Sequence, residues 1–164
     1  MMGYSTKFIG QFNVHPRMSK EHAEYLAAFS GSRRMQRDPV IAAKLPDPKR
    51  AAVELPVGDE GAYFVGGGGV CGQDRDCSVV DYNIEPRRQH SLWCGWTPAK
   101  DRRGIKWNGA EKFHNYAEWL NYMIEHFLEP WGYKVTGEVR YAGDARGDRG
   151  VVRIVKGRAR KIAR

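Results

Sequence analysis

The chain has 164 residues, 41% of them hydrophobic and 28% charged, with a formal net charge of +8, a composition that excludes global disorder. Its apolar runs are far too short to span a bilayer and no signal-peptide pattern opens it, so a soluble, cytoplasmic protein is expected. Residues 1–164 fit a single domain, able to bury most of the surface that the unfolded chain exposes.

Tyr4 to Val14 reads as a strand, with Tyr4, Thr6, Phe8, Phe12 and Val14 on one face and mostly polar residues on the other. His15-Pro16 ends it. Ser19 then caps a helix to about Phe29, with His22, Tyr25, Leu26 and Phe29 as its stripe, and Gly31 closes it. Residues 30–91 are rich in glycine and proline and read as an irregular insertion folded over one edge of the core. Within it, Pro39–Lys44 and Lys49–Glu54 are candidate short helices, separated by the break Leu45-Pro46-Asp47-Pro48.

Leu92–Thr97 and Gly104–Trp107 read as paired strands, turning through Pro98–Arg103. The clearest passage follows. Asn108 is placed to cap a helix, Glu111 stands three residues on, and Phe113, Tyr116, Ala117, Leu120, Met123, Ile124 and Phe127 keep helical spacing as far as Pro130-Trp131-Gly132. Tyr133–Ala142 alternates as a strand, a polar turn leads to Val151–Val155, and Lys156-Gly157 is a two-residue hairpin loop before Arg158–Ile162. The order β-α-(insertion)-β-β-α-β-β-β defines an α+β class. The expected architecture is a two-layer sandwich with two helices on one face of a mostly antiparallel sheet, ferredoxin-like with an added C-terminal hairpin.

No pattern for chemistry emerges, and no catalytic residue, metal or cofactor is expected. Cys71, Cys77 and Cys94 lack zinc-ligand spacing and read as reduced thiols. Gly66–Gly69 lacks the Gly-Lys-Ser/Thr ending of a phosphate loop. Asp74, Asp76 and Asp81 follow no EF-hand pattern and read as solvated loop charges. His114 and His126 stand too far apart on one helix to ligate together.

Charge is distributed unevenly. Met1 to Gly132 holds 17 basic and 16 acidic residues, whereas Tyr133 to Arg164 holds 10 basic and 3 acidic ones. Alternation puts Lys134, Arg140, Arg153, Arg158 and Arg160 on one outward sheet face, with Arg153 directly opposite Arg160. Such a face suits phosphate oxygens or an acidic protein surface, and with no ring beside the cations it would grip a backbone without reading bases. Trp93, Trp96 and Trp119 are candidates for a protein interface, since the chain has five tryptophans, more than a core of this size readily buries.

Three passages, Gly3–Pro16, the W-C-G-W segment at 93–96 and Gly109–Gly143, together resemble a family of small uncharacterised proteins of bacteria and their phages. The family has no established activity, so the resemblance implies no catalytic residue. The expected function is that of a non-catalytic binding protein, a phage or mobile-element accessory that engages a host macromolecule. A nucleic-acid-binding protein gripping phosphates through the basic C-terminal face is the alternative, and a small enzyme with a site in loop 59–94 is the third. The partner, a host protein or nucleic acid, is expected to meet the protein in water rather than in a membrane.

Overall fold

The computed structural model describes residues 3–67 and 75–164, and the chain divides into two compact units, Met1–Met18 with Gly95–Arg164, and Ser19–Cys94. Helices and antiparallel sheet occur together, the α+β class that the element order predicts. Among the described residues no helix is long and apolar enough to cross a membrane.

The first unit is built on one long antiparallel ribbon. Strands β1 (Thr6–Ile9) and β2 (Gln11–His15) run against β7 (Lys134–Thr136) and β8 (Glu138–Gly143). Thr6 lies opposite Gly143 and Val14 opposite Val135, so the register is unbroken along the ribbon. Gly10 (φ +105°) and Gly137 (φ +96°) interrupt it, and both occupy backbone space that a side chain would strain. Tyr4–Val14 and Tyr133–Ala142 are therefore each two strands rather than the single one that alternation suggests. The side-chain alternation passes through the breaks intact, and Thr6, Phe8, Phe12 and Val14 are all buried.

Each half of the ribbon is extended into a four-stranded sheet. One has the order β1-β8-β9-β10, with β9 at Arg149–Val155 and β10 at Arg158–Ala163. The other has the order β5-β6-β2-β7, with β5 at Trp96–Pro98 and β6 at Gly104–Trp107. The strand expected over Leu92–Thr97 is thus confined to its end.

The helix of this unit, α4, covers Tyr116–Met123 and continues as a π-helical turn over Ile124–Leu128. It starts eight residues later than the expected Asn108 cap. The Asn108 carboxamide oxygen instead accepts from the Ala110 amide at 2.9 Å, closing a local turn, and Lys112 and Asn115 take positive φ. Phe113 keeps helical spacing for a different reason. It is buried before the helix begins, with its ring 5.4 Å from that of Trp96, in the space that a Cβ on Gly95 would need.

One contact ties α4 to the sheet edge. The Asn121 carboxamide accepts from the Ala159 amide at 2.7 Å and donates to the Ala159 carbonyl at 3.0 Å. In a hairpin with a two-residue loop, the pair after Val155/Arg158 turns its backbone groups outward, so Asn121 occupies the place of a missing neighbouring strand. Asn121→Ala is expected to cost about 1–3 kcal/mol, the penalty of leaving buried backbone groups unpaired. Urea denaturation checks the magnitude, and faster exchange of the Ala159 amide checks the cause; unchanged exchange there would exclude this role for Asn121.

The second unit is held in part by buried polar side chains. Helix α1 (Lys20–Ser30) is capped by Ser19, whose hydroxyl accepts from the His22 amide, and it buries Tyr25, Leu26 and Phe29. Short β3 (Gln36–Arg37) pairs with β4 (Val79–Asp81). Helices α2 (Pro39–Ala42) and α3 (Pro48–Ala52) stand close to the expected short helices. Arg34 is 2% exposed, lies over the Phe29 ring, and donates to the carbonyls of Ala62 and Phe64. Arg37 donates to Asp76 at 2.7 Å and lies over the Phe64 ring. Burial alone would raise the pKa of Asp76, but hydrogen bonds from Ser78 and Arg37 outweigh it and hold the carboxyl below its ordinary value.

Candidate anion-binding face

The sheet β1-β8-β9-β10 has one buried face and one charged face, and its register says which residue belongs to which. Phe8 is paired with Tyr141, and Val139 with Val152; all four are buried. The opposite face carries three rows across the strands. Lys7, Ala142 and Arg149 form the first, and the Arg164 amide extends it by donating to the Arg149 carbonyl at 2.9 Å. Ile9, Arg140, Val151 and Ile162 form the second, and Glu138, Arg153 and Arg160 the third.

Three of the residues expected on a common basic face are therefore brought together: Arg140, Arg153 and Arg160. The hairpin register is the expected one, with Arg153 opposite Arg160. Two like charges so placed repel. The conflict is eased from the other side, where Glu138 lies opposite Arg153 on β8 and pairs with it at 2.9 Å.

Arg158 and Lys134 depart from expectation. Arg158 pairs with Glu129 at 2.8 Å and Glu125 at 3.2 Å, both in or next to the π-helical turn. The hydrogen bond with Arg158 lowers the pKa of the Glu129 carboxyl, and that same bond raises the pKa of the guanidinium. Its charge is thus met within the fold. Lys134 lies on β7 opposite His15, in the other four-stranded sheet, because the chain passes from one sheet to the other at Gly137. It does not join the Arg140 face.

The cations that sequence reasoning missed are Lys7, Arg149 and Arg164. Lys7 is far away in the chain and reaches this face only through pairing of β1 with β8, a long-range fact that no local pattern encodes. Lys7, Arg140, Arg149, Arg160 and Arg164 form no ion pair among the described residues. Lys161, by contrast, belongs to the opposite side of β10. Its pKa is raised by a hydrogen bond with Tyr116, and its ammonium lies 5.3 and 5.0 Å from the ring centres of Tyr116 and Tyr141.

A groove of about 500 Å³ opens on the charged face, rimmed by Lys7, Arg140, Arg149 and Arg164 together with Glu138, and floored by Ile9, Ala142 and Val151. Its floor is apolar and its rim is mainly basic, Glu138 being held by Arg153. Val151 is only 2% exposed although it points outward, as expected where the aliphatic stems of long cationic side chains lie over a neighbour.

The tryptophans do not supply an exposed interface. Trp96 and Trp119 are fully buried at 0% exposure, which overturns their place as surface anchors, and Trp93 is half-buried. A small domain accommodates them by stacking rings: Trp96 meets Phe8, Phe12 and Phe113 at centroid distances of 5.2–5.4 Å. Among the described residues no group of three or more His, Cys, Asp or Glu side chains is placed to hold a metal ion. Asp76 is engaged by Arg37, and Asp81 accepts from the Asn83 amide. Cys77 is exposed and Cys94 buried, neither in a disulfide among the described residues, while Cys71, Asp74 and Gly68-Gly69 lie outside the described residues. No protein-family model matches the chain, and neither the curated proteins nor the solved structures contain a match to it.

Proposed function

We propose that this chain is a non-catalytic binding protein whose contact surface is the outer face of β1-β8-β9-β10 and whose partner is an acidic macromolecule. One observation carries this reading: Lys7, Arg140, Arg149, Arg160 and Arg164 converge on that face without a carboxylate partner among the described residues. Arg37, Arg50, Arg153 and Arg158, by contrast, each pair with a carboxylate. Cations left unpaired side by side repel one another, and an incoming anion relieves that repulsion while it gains charge-assisted hydrogen bonds. The proposal extends to an accessory role in which that partner belongs to a host cell.

Immobilised heparin serves as a generic polyanion for the test. The protein is expected to be retained at low ionic strength and released steeply as salt rises. The double variant R140E/R160E, altered at exposed positions, should elute at clearly lower salt with an unchanged far-ultraviolet spectrum. No retention of the unaltered protein at low salt, or equal retention of the variant, would remove the basis for this function.

A further inference from the structure

We infer that the groove on this face takes an extended acidic polypeptide segment carrying aliphatic side chains, rather than a nucleic-acid backbone; the inference rests on the anion-binding role proposed above. Two features of the groove decide the chemistry. The first is the rim, where Arg140, Arg149 and Arg164 offer planar guanidinium donors that match carboxylates two oxygens at a time. The second is the floor. Ile9 is 66% exposed, one of the most exposed large hydrophobic side chains among the described residues, and with the exposed Ala142 it forms an apolar strip between the cations.

A phosphate backbone makes use of such a rim but has nothing to place on such a floor. Single-strand nucleic acid would need a ring for stacking. The outward residues of the three rows include none: they are Lys, Arg, Glu, Ala, Ile and Val. A polypeptide satisfies both features, with carboxylates toward the arginines and an aliphatic side chain on Ile9 and Ala142. The groove volume of about 500 Å³ suits a few residues of extended chain.

The test uses the whole protein and three fluorescent probes: an octapeptide alternating Glu and Leu, an octamer of Glu, and a twelve-base-pair DNA duplex, at low and moderate salt. The Glu/Leu peptide is expected to bind about tenfold tighter than oligoglutamate, the effect of roughly 1.4 kcal/mol of apolar contact. The decisive variant is Ile9→Lys, which removes the aliphatic floor and adds a cation. It should weaken the Glu/Leu peptide about tenfold while leaving oligoglutamate binding equal or stronger. If Ile9→Lys instead strengthens all three probes and the duplex binds best, the groove is a phosphate site; the polypeptide inference then falls and the anion-binding role stands. If no probe binds at low salt, both fall. Because Ile9 is exposed, the variant should fold, and its circular dichroism and melting temperature verify this.

Discussion

Replacing Asp47 by alanine is expected to destabilise the second unit by about 3–5 kcal/mol, the range for removing one member of a buried ion pair. The Asp47 side chain is 1% exposed and pairs with Arg50 at 2.6 Å. Its other oxygen accepts from the Gly66 amide at 2.9 Å, and the carboxylate also stands within 3.4 Å of the Val65 amide. One carboxylate therefore fixes the start of α3 to a loop 18 and 19 residues further along the chain. Alanine would leave the Arg50 guanidinium without its carboxylate and remove the acceptor for Gly66 and Val65. Asp47→Asn keeps an acceptor oxygen but loses the charge, so it should cost less than alanine. Urea denaturation gives the free energies, and hydrogen exchange should show the Val65 and Gly66 amides losing protection. If Asp47→Ala costs less than about 1 kcal/mol, or those amides stay protected, the carboxylate is not the fastener of this unit.

Asp47 also shows where local pattern stops being informative. In the sequence it lies within a proline-flanked break between two short helices, and nothing within six residues announces Gly66 as its partner. Elements whose cause is local were legible: the Ser19 cap, the short helices at 39 and 48, and the two-residue hairpin loop at Lys156-Gly157 with its register. The breaks at Gly10 and Gly137 were not. Alternation continues through both, and a glycine with positive φ bends a strand without disturbing which residues point inward. The early start expected for α4 has the same origin, since Phe113 keeps helical phase while its backbone is not helical.

The charged face was partly legible for a related reason. Arg140, Arg153 and Arg160 could be aligned because a hairpin and its neighbouring strand fix relative phase over short distances. The Glu138–Arg153 pair, the removal of Arg158 by Glu125 and Glu129, and the arrival of Lys7 all depend on which distant segments become neighbours. Net charge alone could not separate the paired arginines from the unpaired ones. That distinction needs the register of the whole sheet, and the proposed function depends on it.

Trp96→Ala is expected to cost the first unit about 3–5 kcal/mol, the usual range for truncating a large buried aromatic side chain. The indole is fully buried among Phe8, Phe12 and Phe113, and its N–H donates to the Tyr116 carbonyl at 2.8 Å. It therefore joins β5 to the ribbon and to the first turn of α4 at once. Trp96→Phe keeps most of the packing and loses the hydrogen bond, so a smaller loss of about 1–2 kcal/mol is expected. The order alanine, phenylalanine, unaltered should hold in denaturant midpoints, with loss of protection among the amides of β5 and the start of α4. The same pair of variants separates a core residue from an interface residue. A core role makes Trp96→Phe bind the Glu/Leu peptide with unchanged affinity under conditions where it remains folded. A tryptophan that served as a contact anchor would instead lose affinity at unchanged stability, and that result would return Trp96 to the surface and contradict the packing described here.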